Sequence, residues 1–160
     1  MRPSAAVLPS EPGLDFAFLI RAEIGEARSG GQSPKGERLH IPITGGTVEG
    51  PMLTGTIAPG GSDWPLVRRD GTSEISARYT ILASDGAPIM VRNDGLRVSS
   101  PEVLARLRAG ETVDPSEFYF RSVPVFEAPK GPHGWLNDAI FVASLCRDGA
   151  DVVIAVYRVT

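Results

Sequence analysis

Residues 74–92 read EISARYTILASDGAPIMVR, two β-prone runs on either side of Asp85-Gly86. In an extended chain successive side chains point to opposite faces, so Ile75, Ala77, Tyr79 and Ile81 share one face while Ser76, Arg78 and Thr80 share the other. Asp-Gly accepts the positive φ of a tight turn, and the whole stretch therefore predicts an antiparallel hairpin. The same grammar extends outward. Asp70-Gly71, Asp94-Gly95, Asp148-Gly149 and Gly60-Gly61 separate further runs at residues 16–24, 47–57, 88–92, 117–127, 136–146 and 151–159. Gly50 and Gly55 stand inside one of these runs, where glycine marks bulges and corners that let a sheet curl. An all-β fold follows: a single antiparallel β-barrel with one short helix at about 100–109. A sandwich with one solvated face would give the same alternation, and the in-strand glycines favour the barrel.

The helix is signalled by Ser100-Pro101-Glu102, an N-cap followed by proline and an acid in the first turn. An apolar stripe of Val103, Leu104 and Leu107 follows, and Gly110 ends it. Residues 1–12 hold three prolines without periodicity and read as a tail, leaving 13–160 as one domain. The segment from Arg28 to Glu37, with Gly30, Gly31, Pro34 and Gly36, reads as a flexible loop.

Composition bounds the function. The chain has 160 residues, 42% hydrophobic, and glycine and proline together make up a fifth of it, which is turn-rich yet too apolar for disorder. Net charge is −3 with no basic run, so nucleic acid is not an expected partner. One cysteine, Cys146, and two histidines leave no ordinary multi-ligand metal site, and no metal or cofactor is expected. The longest clean apolar run, residues 152–157, is far below the ~20 that a membrane helix needs. No membrane partner and a cytoplasmic location are expected. Of the basic residues only Lys35 and Lys130 are lysine; the other 14 are arginine. Arginine is a planar, bidentate partner for anions, although genomic composition also produces such a skew.

An ordered series of short motifs carries more. Gly36-Glu37-Arg38, Ile41-Pro42-Ile43-Thr44-Gly45-Gly46, Pro59-Gly60-Gly61-Ser62-Asp63-Trp64, Ala77-Arg78-Tyr79, Tyr119-Phe120-Arg121 and Trp135-Leu136-Asn137 follow one another along the chain. Together they resemble the bacterial and fungal family known as domain of unknown function 3237, from about Phe16 to Tyr157. The resemblance implies a single antiparallel barrel, assembled as a homo-oligomer, with no established activity for most members. It also implies an acidic residue where Ser76 stands and a tyrosine near His133.

Candidate chemistry falls on few residues. Arg78 and Arg121 lie in strands; facing a protected interior, each would need an anion, either an internal carboxylate or a ligand carboxylate or enolate. Asp63, beside Trp64, is a candidate general base if apolar neighbours raise its pKa, and otherwise caps a turn. Trp135 and Asn137 suit an aromatic wall with an amide that recognises a carbonyl or hydroxyl; alternatively they are core and backbone support. Tyr79 reads as core, His133 as a loop residue and His40 as structural. No phosphate loop, nucleophile elbow or Cys-His pair is present.

The expected function is a small-molecule-binding barrel that carries a ligand or catalyses cofactor-free isomerisation, dehydration or cyclisation of an anionic oxygenated carbonyl compound. In it Asp63 is catalytic, and Arg78, Arg121, Trp64, Trp135 and Asn137 bind the ligand. The other reading is a non-catalytic oligomeric module whose arginines are internal struts.

Overall fold

A computed structural model describes residue 4 and residues 7–160 of the chain. The expected tail at 1–12 therefore lies partly outside the described residues. Eleven strands run in chain order: β1 Leu14–Ile24, β2 Arg28–Ser33, β3 Gly36–Glu49, β4 Gly55–Ile57, β5 Gly61–Asp63, β6 Leu66–Val67, β7 Ser73–Ala83, β8 Pro88–Val98, β9 Tyr119–Glu127, β10 Phe141–Asp148 and β11 Asp151–Val159. One helix, α1 Pro101–Arg108, and two 3-10 turns, Pro115–Glu117 and Gly134–Asn137, complete the regular structure. Every pairing is antiparallel, and β1 bonds both β11 and β3, which joins the two edges of the sheet. The result is a closed barrel of eight strands, with β4, β5 and β6 acting as segments of one broken strand between β3 and β7.

Turn chemistry places most of these elements. Gly71, Gly86 and Gly149 take positive φ at the Asp-Gly turns. Ser100 Oγ accepts a hydrogen bond from the Val103 amide at 3.2 Å, and Val103 and Leu107 are buried beneath α1. Three expectations are corrected. The segment after Arg28 forms a hairpin, β2–β3, rather than a loop. The run at 136–146 begins as a 3-10 turn, and the strand starts only at Phe141. Asp94-Gly95 is no turn: β8 continues through it to Val98, pairing with β7 on one side and β9 on the other. A Cβ on Gly95 would lie 2.4 Å from the Arg121 carbonyl, so glycine there permits close strand approach.

The lumen is filled from the apolar face of each strand, as a small barrel requires. Its two ends differ. Phe18, Ile81, Ile89, Phe126 and Phe141 pack at the end where β9 passes through the turn Gly134–Asn137 into β10, and Leu136 of that turn is 1% exposed. The aromatic rings meet edge to face, Phe126 and Phe141 at 5.0 Å and Phe18 and Phe126 at 5.6 Å. The opposite end, where β8 leads into α1, holds the polar residues. Among the described residues no helix is long and apolar enough to cross a membrane.

Candidate functional site

Strand parity decides which side chains enter the lumen. In β7, Ser73, Ile75, Ala77 and Tyr79 face inward; in β8, Val91, Asn93, Gly95 and Arg97 do so. Arg147 follows Leu145 by two residues in β10, and Asp63 pairs with Ala77 across β5–β7. These strands bring Asp63, Tyr79, Asn93, Arg97 and Arg147 to the walls of one cavity of about 100 Å³. Ile24, Leu39, Ile41, Ile43 and Ile75 supply its apolar lining.

Asp63 is the titratable centre of this cavity. Burial pushes its pKa up to about 6, against a hydrogen bond from the Ser76 amide at 3.0 Å and the positive charge of Arg97, both of which favour the carboxylate. A carboxyl group poised there exchanges protons near neutrality. Arg97 donates from Nη2 to Ser73 Oγ at 3.2 Å, and its guanidinium carbon lies 5.8 Å from the centroid of the Phe120 ring. Burial lowers the pKa of Arg97, and Arg147 and Arg108 add repulsion. Arg147 is lowered mainly by burial as well. Neither Arg97 nor Arg147 makes an ion pair among the described residues, and the Nε atoms of both are buried without a partner. The site therefore holds two guanidiniums against one reluctant carboxylate and favours an anion.

Two neutral groups complete it. Tyr79 is 5% exposed and Asn93 2%, yet the Tyr79 hydroxyl and Asn93 Oδ1 have no hydrogen-bond partner among the described residues. Burial, with Asp63 nearby, raises the Tyr79 pKa and keeps its proton in place. A Cβ on Gly61 would lie 2.5 Å from Tyr79 Cβ, so this glycine gives the ring its room.

Of the residues assigned to the site from sequence, Asp63 alone lines the cavity; Tyr79, read as core, lines it too. Arg78 and Arg121 point outward, which corrects the expectation that they face a protected interior. Their neighbours Ala77, Tyr79, Phe120 and Ser122 hold the inward parity. Arg78 donates to the Ala77 carbonyl and lies 3.7 Å from Asp94; Arg121 donates to the Phe120 carbonyl and covers the Tyr119 ring. Trp64 is 42% exposed and stacks on His40 outside the barrel, its position following from Asp63 facing in. Trp135 packs on Phe141 at the closed end. Asn137 spends its amide on both backbone groups of Ala128, at 2.9 and 3.0 Å. Ser76 contributes only its backbone to Asp63, and His133 meets Asp85 at 2.9 Å in a loop.

The sequence carried one signal for the residues that were missed. Asn93, Arg97 and Arg147 are polar side chains on faces otherwise built of Ile89, Val91, Phe141, Ala143 and Leu145.

Comparison with known proteins agrees with the fold. The model of the family described as "Protein of unknown function (DUF3237)" matches residues 12–159. The chain belongs to this family. A UPF0311 protein of Bradyrhizobium diazoefficiens is 41% identical over 150 residues, covering 92% of this chain and 98% of that one. The crystal structure of a conserved protein of unknown function from Rhodopseudomonas palustris superposes with a TM-score of 0.89 at 36% identity, covering 96% of this chain and all of that one. A hydroalkoxylation enzyme of Penicillium herquei is 36% identical over 83 residues, 52% of this chain and 55% of that one.

Proposed function

We propose that the polar half of the lumen is an active site for cofactor-free proton transfer on a small anionic oxygenated carbonyl compound, most simply an intramolecular cyclisation. The observation that carries this reading is the meeting of Asp63, with its pKa near 6, and the unpaired Arg97 and Arg147 in one cavity. The similarity to a hydroalkoxylation enzyme supports it, because adding an alcohol O–H across a carbon–carbon double bond needs no cofactor. In such a step the hydroxyl proton passes to the Asp63 carboxylate and the oxygen bonds to one alkene carbon. A proton then returns to the other carbon, so the product is an isomer of the substrate. Arg97 and Arg147 would hold the anionic group and the negative charge that builds on its conjugated carbonyl. We place the protein's action on a soluble small molecule. The homo-oligomer expected above belongs to the proposal too, supported by exposed Met90, Tyr119, Val123 and Val125 on the outer face of β8 and β9.

The test is direct. 6-Hydroxyhex-2-enoate carries a hydroxyl, an alkene and a carboxylate, and its ring closure is followed by loss of the alkene proton signals in NMR. The protein should accelerate closure with a rate that rises through pH 6, and Asp63→Asn should lower that rate by about 10²–10⁴-fold. Equal rates for the two proteins remove Asp63 as the base. No acceleration, together with no binding of the compound, overturns the reading.

A further inference from the structure

The charged groups of the cavity leave its most buried polar atoms unused. The Tyr79 hydroxyl and Asn93 Oδ1 are more than nine-tenths buried, both side chains line the cavity, and neither atom has a partner among the described residues. Ala77 pairs with Asn93 and Tyr79 with Val91, so the two residues are diagonal neighbours on the inner face of adjacent strands, within reach of one small group between them. Leaving buried polar atoms unpaired is costly, and native proteins seldom do so without a ligand or water to fill the gap. Their chemistry is complementary. Tyr79, kept protonated by burial, donates; the Asn93 carbonyl oxygen only accepts. In the bound ground state, before any proton passes to Asp63, a single hydroxyl satisfies both, accepting a hydrogen bond from Tyr79 and donating one to Asn93.

Arg97 lies four residues beyond Asn93 on the same face of β8, and both side chains line the one small cavity. The ligand groups read at the two levels are thus separated by a short chain. A cavity of about 100 Å³ suits a compact ligand.

We propose that the site selects hydroxy acids: an anionic group held at the mouth by Arg97 and Arg147, and a hydroxyl three or four carbons away received between Tyr79 and Asn93. This rests on the reading of the lumen as an anion-binding site and names its substrate class. Tyr79 and Asn93 are its specificity-determining residues.

Calorimetric or NMR titration of the full chain with 4-hydroxybutyrate and butyrate tests it. The wild-type protein should bind 4-hydroxybutyrate about tenfold more tightly than butyrate. Tyr79→Phe, which keeps the ring and removes only the hydroxyl, should bring that ratio close to one, and Asn93→Leu should do the same if it folds. Arg97→Gln should weaken both ligands together. Equal affinities in the wild-type protein, or an undiminished ratio in Tyr79→Phe, overturn hydroxyl selection and leave the anion site standing. Binding of neither compound overturns the anion site and the proposal with it.

Discussion

The two ends of the lumen are built on the same strands with opposite chemistry. β8 begins with Ile89 and Val91 and ends with Asn93 and Arg97; β10 begins with Phe141 and Ala143 and ends with Arg147. At the closed end, rings interlock beneath Leu136 and the nearby polar Asn137 is fully paired with Ala128. At the mouth, six polar residues surround a cavity and several of their atoms have no partner among the described residues. Closure of the barrel lets one end supply stability while the other holds an underpaired set of polar groups, a division typical of functional sites. The largest effect is therefore expected at the dry end. Phe126→Ala, which removes the ring between Phe18 and Phe141, should destabilise the fold by about 3–5 kcal/mol. Chemical denaturation would measure it, and a loss below about 1 kcal/mol would break the contrast.

The mouth should respond in the opposite direction. The raised pKa of Asp63 means that the folded state holds this proton more tightly than the unfolded chain, from about 6 down to the ordinary 3.8. Below pH 4 both states are protonated and the group has no effect on stability. As pH rises from about 4 to 6 the unfolded chain ionises first, and above 6 the buried carboxylate costs the fold up to about 3 kcal/mol. Asp63→Asn retains an oxygen for the Ser76 amide and carries no charge. Melting curves at pH 8 should thus show a gain of about 1–3 kcal/mol, shrinking as pH falls toward 4. A constant difference across that range would mean that Asp63 is not held protonated by the fold.

Arg97 extends the argument with a smaller number. Arg97→Met keeps the length of the side chain over Phe120 and removes a buried charge that no carboxylate among the described residues pairs with. Replacing such a charge by an apolar side chain is neutral or stabilising by about 1 kcal/mol. Binding of butyrate should nevertheless be lost. Stability and binding moving in opposite directions would mark Arg97 as a residue kept for a ligand; joint loss would mark it as a strut.

The fold was largely legible because its signals are local. Asp-Gly at 85–86 and 148–149 fixes turns through φ alone, and Ser100-Pro101 starts α1 whatever surrounds it. Asp63 could be read too, since a carboxylate beside Trp64 after the Gly60-Gly61 turn suggested apolar neighbours, with a turn cap as the other reading. The arginines could not be assigned from parity alone. Alternation shows that Arg78 and Tyr79 face opposite ways, but not which face lies inside. In a barrel this small the interior is mostly side-chain packing, so the apolar face goes in and the mixed face meets solvent. Taking Asp94-Gly95 for a turn also hid Arg97, because it ended β8 before the strand had reached the mouth. Only pairing with β9 across Gly95, where no Cβ intervenes, keeps that strand running.

The smallest expected effect is the sharpest check on which arginines matter. Arg78 and Arg121 are exposed, and their contacts are with the Ala77 and Phe120 carbonyls, with Asp94 at 3.7 Å and with the face of Tyr119. Exposed ion pairs of this kind contribute ~0–1 kcal/mol, and surface truncations away from special features stay within about 0.5 kcal/mol. Arg78→Ala and Arg121→Ala should therefore leave both the melting temperature and the affinity for butyrate nearly unchanged. Arg97→Gln, examined under the same conditions, should lose that affinity. If instead an outer arginine controls binding, the ligand sits on the barrel wall. The polar mouth would then be an incompletely paired interior rather than a site, and the contrast between the two ends would concern packing alone.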